Sequence, residues 1–511
     1  MNPSVSACGC RFTVEDGGVD AEPLPLDDLA AHAHDTHVVV VGGGIGGLVA
    51  ALACAKVGIP VTVLEESGRL GGAIRTAEIG GVRADLGAEG YATRGGAVRA
   101  LVDELGLTEA VVPTAPRAEW LAGLPGGPVP FPEATVRGIP ENPWEESVRR
   151  VIGRSGTWRA YLDRLRPPLT IGQERSLGRL VRTRMGDLVL DRLVAPLSLG
   201  GFSIHPDDVD VELVAPGLNA ALTRTGSLAG AVMQLRADRG PQPAGDGLEG
   251  IEGGMSGIVD ALRERLRTLG ADVRLDSRVD ALERRADGRW HAVVAGEQAE
   301  TAADEDAGID VADAVILATG ARDAHHLLAG FVPALEPTPV IDLEVVTLVV
   351  ESPELAAAPI RTAVYPITGT AVAASVTDST ARWPWMRAAH TRVLKVTFGG
   401  PGVPPATASL DDQAATALAL AEASALVGVP LAPAALRGSQ RSRWAQPPPA
   451  SALGRRERAE AARAEIHAIP GLAVVGAWVA GTGLAQVVPD AIAEAERVRR
   501  QALWGSAGER P

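Results

Sequence analysis

The sequence predicts an α/β protein built around a parallel β-sheet, with a strand-rich part and a helical part inserted into the chain. Two stretches predict this class. In THVVVVGGGIGGLVAALACA, residues 36–55, a β-branched run precedes a cluster of glycines and a helix-forming run follows it, which indicates strand, turn and helix in that order. IPVTVLEE, residues 59–66, then indicates a second buried strand. The length of 511 residues allows two or three packed domains.

The first stretch also has the length and the lack of charge of a membrane-spanning helix. Its glycines argue against that interpretation, because five of them between residues 42 and 47 would make a poor helix centre. The helix-forming run stops at Gly58, two residues before Pro60, as helices of soluble domains commonly do. The pattern therefore favours a turn between a strand and a helix.

Glycines at this kind of turn are typical of a dinucleotide-binding site. Gly42, Gly44 and Gly47 fit the spacing G-x-G-x-x-G, which permits a tight turn, brings backbone N–H groups to a pyrophosphate and lets the helix pack on the strand. The same spacing recurs in GDGLEG, residues 245–250, but no apolar strand precedes it, so there it indicates a loop. Glu65 ends the second strand, where an acid commonly binds a ribose hydroxyl. The sequence therefore predicts a Rossmann-like nucleotide-binding domain.

The composition excludes several classes of function. The chain has 63 acidic and 48 basic side chains and a net charge of −15, so nucleic acid is not an expected partner. Three cysteines are too few for a disulfide scaffold, and we expect no metal site. Residues 1–35 lack the features of a secretory signal, and we interpret them as a disordered arm. We expect a cytoplasmic protein without integral membrane contact, as a monomer or homodimer.

A second glycine motif follows the acidic residues. SGRLGGAIRT, residues 67–76, resembles the flavin motif of the FAD-dependent amine oxidase and protoporphyrinogen oxidase superfamily. Later stretches also resemble segments of that superfamily, namely IEGGMSGIVDALRERL, ADVRLDSRVDALE, DAVILATG and PGLAVVGAWVAGTGLAQVV. The resemblance runs from about residue 38 to the last helix and implies an FAD-binding fold. The sequence shows no second strand, turn and helix unit for NAD(P)H, which favours an oxidase over a reductase.

The resemblance also implies which residues contact FAD. They belong to the two glycine motifs, to the acidic pair after the second strand and to single positions in the later stretches. They are Gly42, Gly44, Ile45, Gly46, Gly47, Glu65, Glu66, Arg69, Gly71, Gly72, Ala73, Ile74, Gly87, Ala88, Glu89, Val279, Thr319, Gly320, Trp444, Gly476, Ala477, Gly483 and Leu484.

Further segments point to one branch of the superfamily. ADLGAEGYATRGGAVRALVDELGL, the helical SLGRLVRTRMGDLVLDRLVAPLSLGGFSIHPDDVDVEL, and TDSTARWPW are similar to protoporphyrinogen and coproporphyrinogen oxidases. Enzymes of that branch remove hydrogen from a reduced tetrapyrrole, with molecular oxygen as acceptor and hydrogen peroxide as product. The resemblance therefore implies oxidation of coproporphyrinogen III or protoporphyrinogen IX to the porphyrin.

Three residues are candidates for substrate binding. Arg75 stands at a position that faces the flavin in the family and could hold a substrate carboxylate; a salt bridge inside the nucleotide domain is the alternative. Tyr91 and Arg382 lie in the branch-specific segments. Arginines between residues 149 and 192 could pair with propionates, but most of them fit the solvated faces of amphipathic helices. The family has no agreed catalytic base, and we assign none.

Three segments depart from the family pattern. SRWAQPPPASALGRR keeps Arg443 and Trp444 but has prolines and alanines where the family has Tyr and His. GTGLAQVVPD has Gln486 and Pro489 where small residues are usual, and AVAAS lacks the usual lysine. The changes fit a divergent porphyrinogen oxidase, or a flavin amine oxidase or dehydrogenase acting on another amine or pyrrole-containing metabolite. A non-enzymatic escort protein of the same fold is a third alternative, which the intact Glu65 and Gly-Gly motif disfavour.

The motifs divide the chain into discontinuous parts. We expect an FAD-binding domain at residues 36–115, 250–330 and 455–505. We expect a substrate domain at 116–145 and 330–450, a helical Arg-rich insertion at 146–235 and a linker at 236–250. Within the substrate domain, DDQAATALALAEASALVGVP predicts a surface helix that is capped by Ser409 and stopped at Gly428.

Overall fold

The computed structural model describes residues 33–166, 174–239, 247–295 and 309–504. Residues 1–32 of the predicted arm and residues 240–246 of the predicted linker lie outside these ranges. The loop predicted for GDGLEG was wrong at its end, because Leu248–Ile251 is a strand that pairs with two neighbouring strands. Within them, no helix combines the length and the apolar character needed to cross a membrane.

Strands occur throughout the described chain. In chain order they are β1 Val38–Val41, β2 Val61–Leu64, β3 Thr76–Ile79, β4 Val82–Asp85, β5 Tyr91–Ala92, β6 Val111–Pro113, β7 Glu119–Ala122, β8 Val129–Pro130, β9 Thr135–Val136, β10 Ile139–Pro140, β11 Leu248–Ile251, β12 Asp272–Arg274, β13 Val279–Arg284, β14 Trp290–Val294, β15 Ile309–Ala312, β16 Ala314–Leu317, β17 Ile341–Glu351, β18 Ala363–Pro366, β19 Ser375–Asp378, β20 Thr391–Gly399, β21 Leu436–Gln446 and β22 Leu472–Val474.

Helices connect these strands and form the middle part of the chain. In chain order they are α1 Ile45–Ala55, α2 Ala97–Glu104, α3 Glu146–Tyr161, α4 Leu177–Met185, α5 Asp187–Val189, α6 Val211–Val214, α7 Leu218–Thr225, α8 Leu228–Arg239, α9 Ser256–Thr268, α10 Ala321–Leu328, α11 Pro353–Ala357, α12 Ser379–Arg382, α13 Asp412–Val427, α14 Arg455–His467, α15 Ala477–Ala480 and α16 Leu484–Trp504.

A five-stranded parallel sheet has the strand order β12-β2-β1-β16-β22. Val38 of β1 lies opposite Val61 of β2 on one side and Ala314 of β16 on the other. All four residues of β1 are buried, because α1, α9 and α16 cover one face of the sheet and α10 with strands β13 to β15 covers the other. The predicted α/β class is confirmed, and the sheet takes its strands from three separate segments of the chain.

A seven-stranded sheet has the order β21-β17-β20-β19-β18-β7-β8. Its neighbours pair antiparallel except β18 and β7, which run parallel. The predicted surface helix is α13, which packs on one face of this sheet and ends at Gly428 as predicted, with a φ of 66°. The predicted cap at Ser409 was wrong, because the helix begins after Asp411, whose carboxylate accepts a hydrogen bond from Ala414 N at 2.8 Å.

Helices α3 to α8 form the helical part. Its apolar core includes Leu180 and Leu193 and extends to Leu121 and Tyr365 of the seven-stranded sheet. Some of its arginines hold the helices together. Arg184 is 7% exposed, forms an ion pair with Asp163 and donates a hydrogen bond to Gly226 O at 2.9 Å. Part of the basic composition of this segment therefore has a structural role.

Candidate functional site

The glycine turn after β1 packs closely against neighbouring backbone. Gly71 N donates a hydrogen bond to Gly43 O at 2.9 Å, which joins the two glycine motifs. A Cβ at Gly47 would lie 2.0 Å from Gly42 O, so the close approach of α1 to the turn requires glycine. Gly42 has a φ of 109°, a conformation that other residues rarely adopt. These positions therefore need glycine for backbone reasons alone.

Glu65 follows β2 and fixes the turn from one side. Its Oε2 accepts a hydrogen bond from Gly43 N at 2.7 Å, and its Oε1 accepts from Ser67 N at 3.1 Å and Ser67 Oγ at 2.6 Å. Burial and then Asp323 raise the pKa of the neighbouring Glu66. The carboxylate of Glu65, which was predicted to bind a ribose, thus stabilises the glycine turn through hydrogen bonds.

A cavity of about 470 Å³ adjoins both glycine motifs, and we call it the cofactor cavity. Its walls also include the chain that follows β16 and the residues around α15 and the start of α16. The predicted cofactor residues on its walls are Gly44, Ile45, Gly46, Gly72, Ala73, Ile74, Ala88, Thr319, Gly320, Gly476, Ala477 and Leu484. The fold therefore brings predicted residues from distant segments to one cavity.

The cofactor cavity offers features that suit a bound nucleotide. Thr319 Oγ1 and Trp478 Nε1 are buried side-chain atoms without a hydrogen-bond partner among the described residues, and both residues line the cavity. Buried polar groups are normally paired. A Cβ at Gly44 or Gly476 would meet no atom within 4 Å, so the backbone there borders open space, as a phosphate site requires. These residues fit a nucleotide-bearing cofactor.

The other predicted cofactor residues lie outside the cavity walls. They are Gly42, Gly47, Glu65, Glu66, Arg69, Gly71, Gly87, Glu89, Val279, Trp444 and Gly483. Some of them contact the residues that form the cavity wall. A Cβ at Gly87 would lie 3.1 Å from the Trp444 ring, and Arg69 donates a hydrogen bond to Gly72 O at 3.2 Å. Gly483 N donates to Gln486 Oε1 at 3.0 Å, so the unusual Gln486 caps the start of its own helix.

Glu89 lies in a buried ion network beside the cofactor cavity. Its carboxylate is 2.7 Å from Lys395 Nζ and 3.5 Å from Arg382 Nη1, and it accepts a hydrogen bond from Ser379 Oγ at 2.5 Å. Burial would raise the pKa of Glu89, but Lys395 and Arg382 outweigh it and lower the pKa to about 2. Glu89 is therefore ionised and ties the chain after Ala88, on the cavity wall, to β20 in the other sheet.

Asp85, at the end of β4, is a second buried carboxyl group in this region. It accepts hydrogen bonds from Thr76 Oγ1 at 2.6 Å and from Met255 N at 3.0 Å. Burial is the largest influence and raises the pKa of Asp85 to about 6, because the hydrogen bonds offset only part of it. The pKa of Asp85 is thus raised above its ordinary value, whereas the pKa of Glu89 is lowered.

A second cavity, of about 380 Å³, adjoins the cofactor cavity, and Thr482 lines both. Its cationic residues are Arg94 and Arg137. Arg137 Nε donates a hydrogen bond to Val214 O at 3.1 Å, and its guanidinium lies 5.1 Å from the centre of the Phe202 ring. Arg94 is exposed and makes no ion pair or hydrogen bond within the described ranges. Apolar residues make up most of the remaining wall, among them Leu177, Leu197, Ile204, Val209 and Leu213.

The proline run that departs from the family pattern lies between the two cavities. Pro447 lines the cofactor cavity, and Pro449 lines the second cavity together with Gln486. Two of the three segments that depart from the family pattern therefore contribute to the cavity walls, whereas AVAAS lines neither cavity.

The predicted substrate residues are not brought together. Arg75 directly follows Ile74 of the cavity wall, and its side chain makes no ion pair or hydrogen bond with the described residues. Tyr91 is 2% exposed and donates a hydrogen bond to Glu249 Oε2 at 2.9 Å, and Arg382 is engaged by Glu89. Neither Tyr91 nor Arg382 lines the cofactor cavity or the second cavity.

Sequence analysis missed Lys395, Arg94 and Arg137. Lys395 left a signal, because it is one of two lysines in the chain and lies in the apolar run VLKVTF. Arg94 and Arg137 stand in polar, glycine-containing segments among many other arginines. Only the tertiary structure shows that they line the same cavity.

A parallel sheet with a glycine-rich turn, beside a mostly antiparallel sheet and two adjoining cavities, fits an enzyme that binds a nucleotide-bearing cofactor. The family profile of flavin containing amine oxidoreductases matches residues 45–503. The chain belongs to that family. It is therefore an enzyme, and its cofactor is a flavin.

Named relatives match nearly the whole chain. The coproporphyrinogen III oxidase of Mycobacterium tuberculosis is 30% identical over 469 residues, which cover 87% of this chain and 93% of that protein. The coproporphyrinogen III oxidase of Propionibacterium freudenreichii subsp. freudenreichii is 27% identical over 538 residues, covering 96% and 95%. The crystal structure of "Putative protoporphyrinogen oxidase" from Exiguobacterium sp. 255-15 superimposes with a TM-score of 0.78 at 24% identity and covers 92% of this chain and 99% of that chain. At that identity it shows a shared fold.

Proposed function

We propose that the protein is an FAD-dependent oxidase of a porphyrinogen. The substrate is coproporphyrinogen III or protoporphyrinogen IX, the acceptor is molecular oxygen, and the products are the porphyrin and hydrogen peroxide. The observation that carries this proposal is the second cavity, which meets the cofactor cavity at Thr482 and combines an apolar wall with Arg94 and Arg137. A largely apolar macrocycle with carboxylate arms has the complementary chemistry. Similarity to named coproporphyrinogen III oxidases over nearly the whole chain supports the same class of substrate.

FAD would be held mainly by backbone groups in this proposal. The N–H groups of Gly44 to Gly46 and of Gly72 suit the pyrophosphate, Glu65 suits the adenosine ribose, and Thr319 and Trp478 offer buried polar atoms on the wall. When bound, FAD supplies a two-electron acceptor that oxygen can reoxidise. Residues 36–115, 250–330 and 455–505 would form its domain.

The chain's own residues then bind and orient the substrate. Arg94 and Arg137 would pair with carboxylates, while Phe202 and the aliphatic residues beside it exclude water from the ring. Arg75, without a partner among the described residues and next to the cavity wall, is a further candidate for a carboxylate. No side chain is assigned as a base. Each two-electron oxidation of the substrate would turn one oxygen molecule into one molecule of hydrogen peroxide.

The proposal is tested by porphyrin fluorescence and peroxide, measured together in air with coproporphyrinogen III and with protoporphyrinogen IX. Both signals should rise in parallel with the holoenzyme for at least one substrate. A Gly47→Val protein, expected to lack flavin, measures the spontaneous oxidation of the porphyrinogen in air. Porphyrin formation no faster than with this control would overturn the proposal.

A flavin amine oxidase or dehydrogenase acting on another amine or pyrrole-containing metabolite is the second candidate. The proline run favours it, because Pro447 lines the cofactor cavity and Pro449 lines the second cavity, in a segment where the family pattern has Tyr and His. Anaerobic reduction of the flavin by primary amines, together with no reduction by either porphyrinogen, would support this candidate over the first.

A further inference from the structure

A separate cavity, of about 260 Å³, lies on the strand-rich part of the molecule, and we call it the arginine pocket. It shares no lining residue with the cofactor cavity or the second cavity. Its charged lining residues are Arg361, Arg387, Arg392 and Asp378. It is therefore a distinct candidate site with an excess of positive charge.

The single carboxylate of this pocket is already engaged. Asp378 Oδ1 accepts hydrogen bonds from Ala381 N at 3.0 Å and from Thr380 Oγ1, and Asp378 Oδ2 lies 3.7 Å from Arg392 Nε. The charge of Arg392 is thus compensated within the pocket. The same carboxylate cannot also neutralise two further arginines.

Arg361 and Arg387 have no counter-charge among the described residues. The Arg361 guanidinium lies 4.5 Å from the centre of the Trp120 ring, and its Nε is buried without a hydrogen-bond partner. Burial lowers the pKa of Arg361, and no acidic neighbour opposes the shift. Arg387 is exposed, and its side chain makes no ion pair or hydrogen bond within the described ranges. Among the described acceptors, Arg361 Nη1 donates only to Pro359 O, at 3.4 Å. In a chain with a net charge of −15, two arginines without a counter-charge in one small cavity indicate an anion site.

The remaining wall of the arginine pocket is apolar except for Thr380 and includes Leu355, Val376 and Leu394. These side chains are at most 7% exposed, so they form a dense floor rather than an open surface. An anion without an apolar part would make no contact with these apolar side chains. A ligand with a carboxylate at one end and a short hydrocarbon part would use both features.

We propose that the arginine pocket binds a small amphiphilic monocarboxylate, with its carboxylate between Arg361 and Arg387 and its hydrocarbon part on the apolar floor. The planar guanidinium fork matches a carboxylate with two parallel hydrogen bonds. The site differs from the proposed substrate site, because α12 separates the pocket from Glu89 and no lining residue is shared with either of the other two cavities. Thr380 and Ala381 of this helix line the pocket, whereas Ser379 contacts Glu89 beside the cofactor cavity.

The test is calorimetric titration of the holoenzyme with hexanoate and with hexanamide, its uncharged counterpart of similar shape. Hexanoate should bind with one-to-one stoichiometry and an affinity of about millimolar or better, given its few heavy atoms, whereas hexanamide and inorganic phosphate should bind at least about tenfold more weakly. Binding of hexanamide or phosphate as tightly as hexanoate would contradict the proposed ligand class. The absence of any hexanoate binding would also contradict the proposal.

Substitutions in the arginine pocket test whether hexanoate binds there. Arg361→Gln and Arg387→Gln should each weaken hexanoate binding by about tenfold or more. Arg267→Gln is the matched control, since Arg267 is a surface arginine paired with Glu264 in α9. Arg387 is exposed, so its replacement tests the site even if Arg361→Gln does not fold. Unchanged binding in Arg387→Gln would place the ligand elsewhere and overturn the proposal. Heats of binding do not depend on turnover, so the outcome is independent of the proposed oxidase activity.

Discussion

The cofactor cavity and the second cavity meet at Thr482, yet they are built in different ways. Backbone at strand and helix ends forms much of the first, with glycines such as Gly44 and Gly476 bordering open space. Side chains from distant segments form the second, including Arg94, Arg137 and Phe202. Backbone turns impose glycine at fixed spacing, whereas side chains that meet only in the folded chain leave no local pattern. The walls of the cofactor cavity could therefore be predicted from the sequence, whereas those of the second cavity could not.

The largest expected effect comes from filling the glycine turn. Gly47→Val would force a Cβ and two methyl groups toward Gly42 O, 2.0 Å from the position of the Cβ. We expect α1 to move away from the turn and the flavin content of the purified protein to fall at least about tenfold. Gly330→Ala is the matched control, because a Cβ at Gly330 meets no atom within 4 Å. Equal flavin content in both variants would show that the turn does not hold the cofactor.

Removing Lys395 should produce the next largest effect. Lys395→Met leaves Glu89 buried without its closest cation, and breaking a buried ion pair costs about 3–5 kcal/mol of unfolding free energy. Lys56→Met is the matched control, since Lys56 pairs with Glu104 at the surface and such pairs contribute about 0–1 kcal/mol. Urea denaturation of both variants measures the difference. Similar losses in the two variants would contradict the role given to Lys395.

The pH dependence of stability should follow Asp85. Its pKa of about 6 in the folded protein exceeds the value of about 3.9 for an unfolded aspartate. The unfolded chain therefore releases this proton first, and the contribution of Asp85 to stability falls by about 3 kcal/mol as the pH rises from about 4 to about 6. Asp85→Asn should remove this fall from the stability curve. An unchanged slope in Asp85→Asn over the same pH range would show that Asp85 is not its source.

Glu65→Gln tests the acid beside the turn. The amide keeps the shape of the side chain but loses the charge and one acceptor, while Glu65 accepts hydrogen bonds from Gly43 N and Ser67. We expect FAD to bind about 10–100-fold more weakly, as for loss of a hydrogen bond to a charged group. Titration of the apoprotein with FAD measures the affinity, with the exposed Glu78→Gln as control. Unchanged affinity in Glu65→Gln would remove Glu65 from the cofactor site.

The smallest effect is expected in the second cavity. Arg94→Gln should raise the KM for coproporphyrinogen III by about tenfold, because one charged contact to a carboxylate is lost, and should leave flavin content unchanged. Arg150→Gln is the control, since Arg150 is 59% exposed on α3 and pairs with Glu146 at 3.4 Å. A fall in flavin content without a change in KM would assign Arg94 to the cofactor cavity instead.

The same contrast explains how much could be predicted from sequence. Val38–Val41 is a buried strand, as its β-branched run indicates, and the resemblance to flavoproteins led to Thr319 and Gly476 on the wall of the cofactor cavity. Glu89 shows the limit, because the resemblance implied a cofactor contact but gave no sign that its side chain pairs with Lys395 of another sheet. The direction of a side chain depends on partners that are remote in sequence. Arg94 and Arg137 were missed for the same reason.

The most direct test of the account is anaerobic mixing of the oxidised holoenzyme with coproporphyrinogen III, followed by flavin absorbance. A substrate in the second cavity lies next to the cofactor cavity, so the flavin should bleach at a rate that saturates with substrate. Arg94→Gln should reach the same final bleaching but need a higher substrate concentration. Flavin that stays oxidised with coproporphyrinogen III and protoporphyrinogen IX would contradict the proposed pairing of the two cavities.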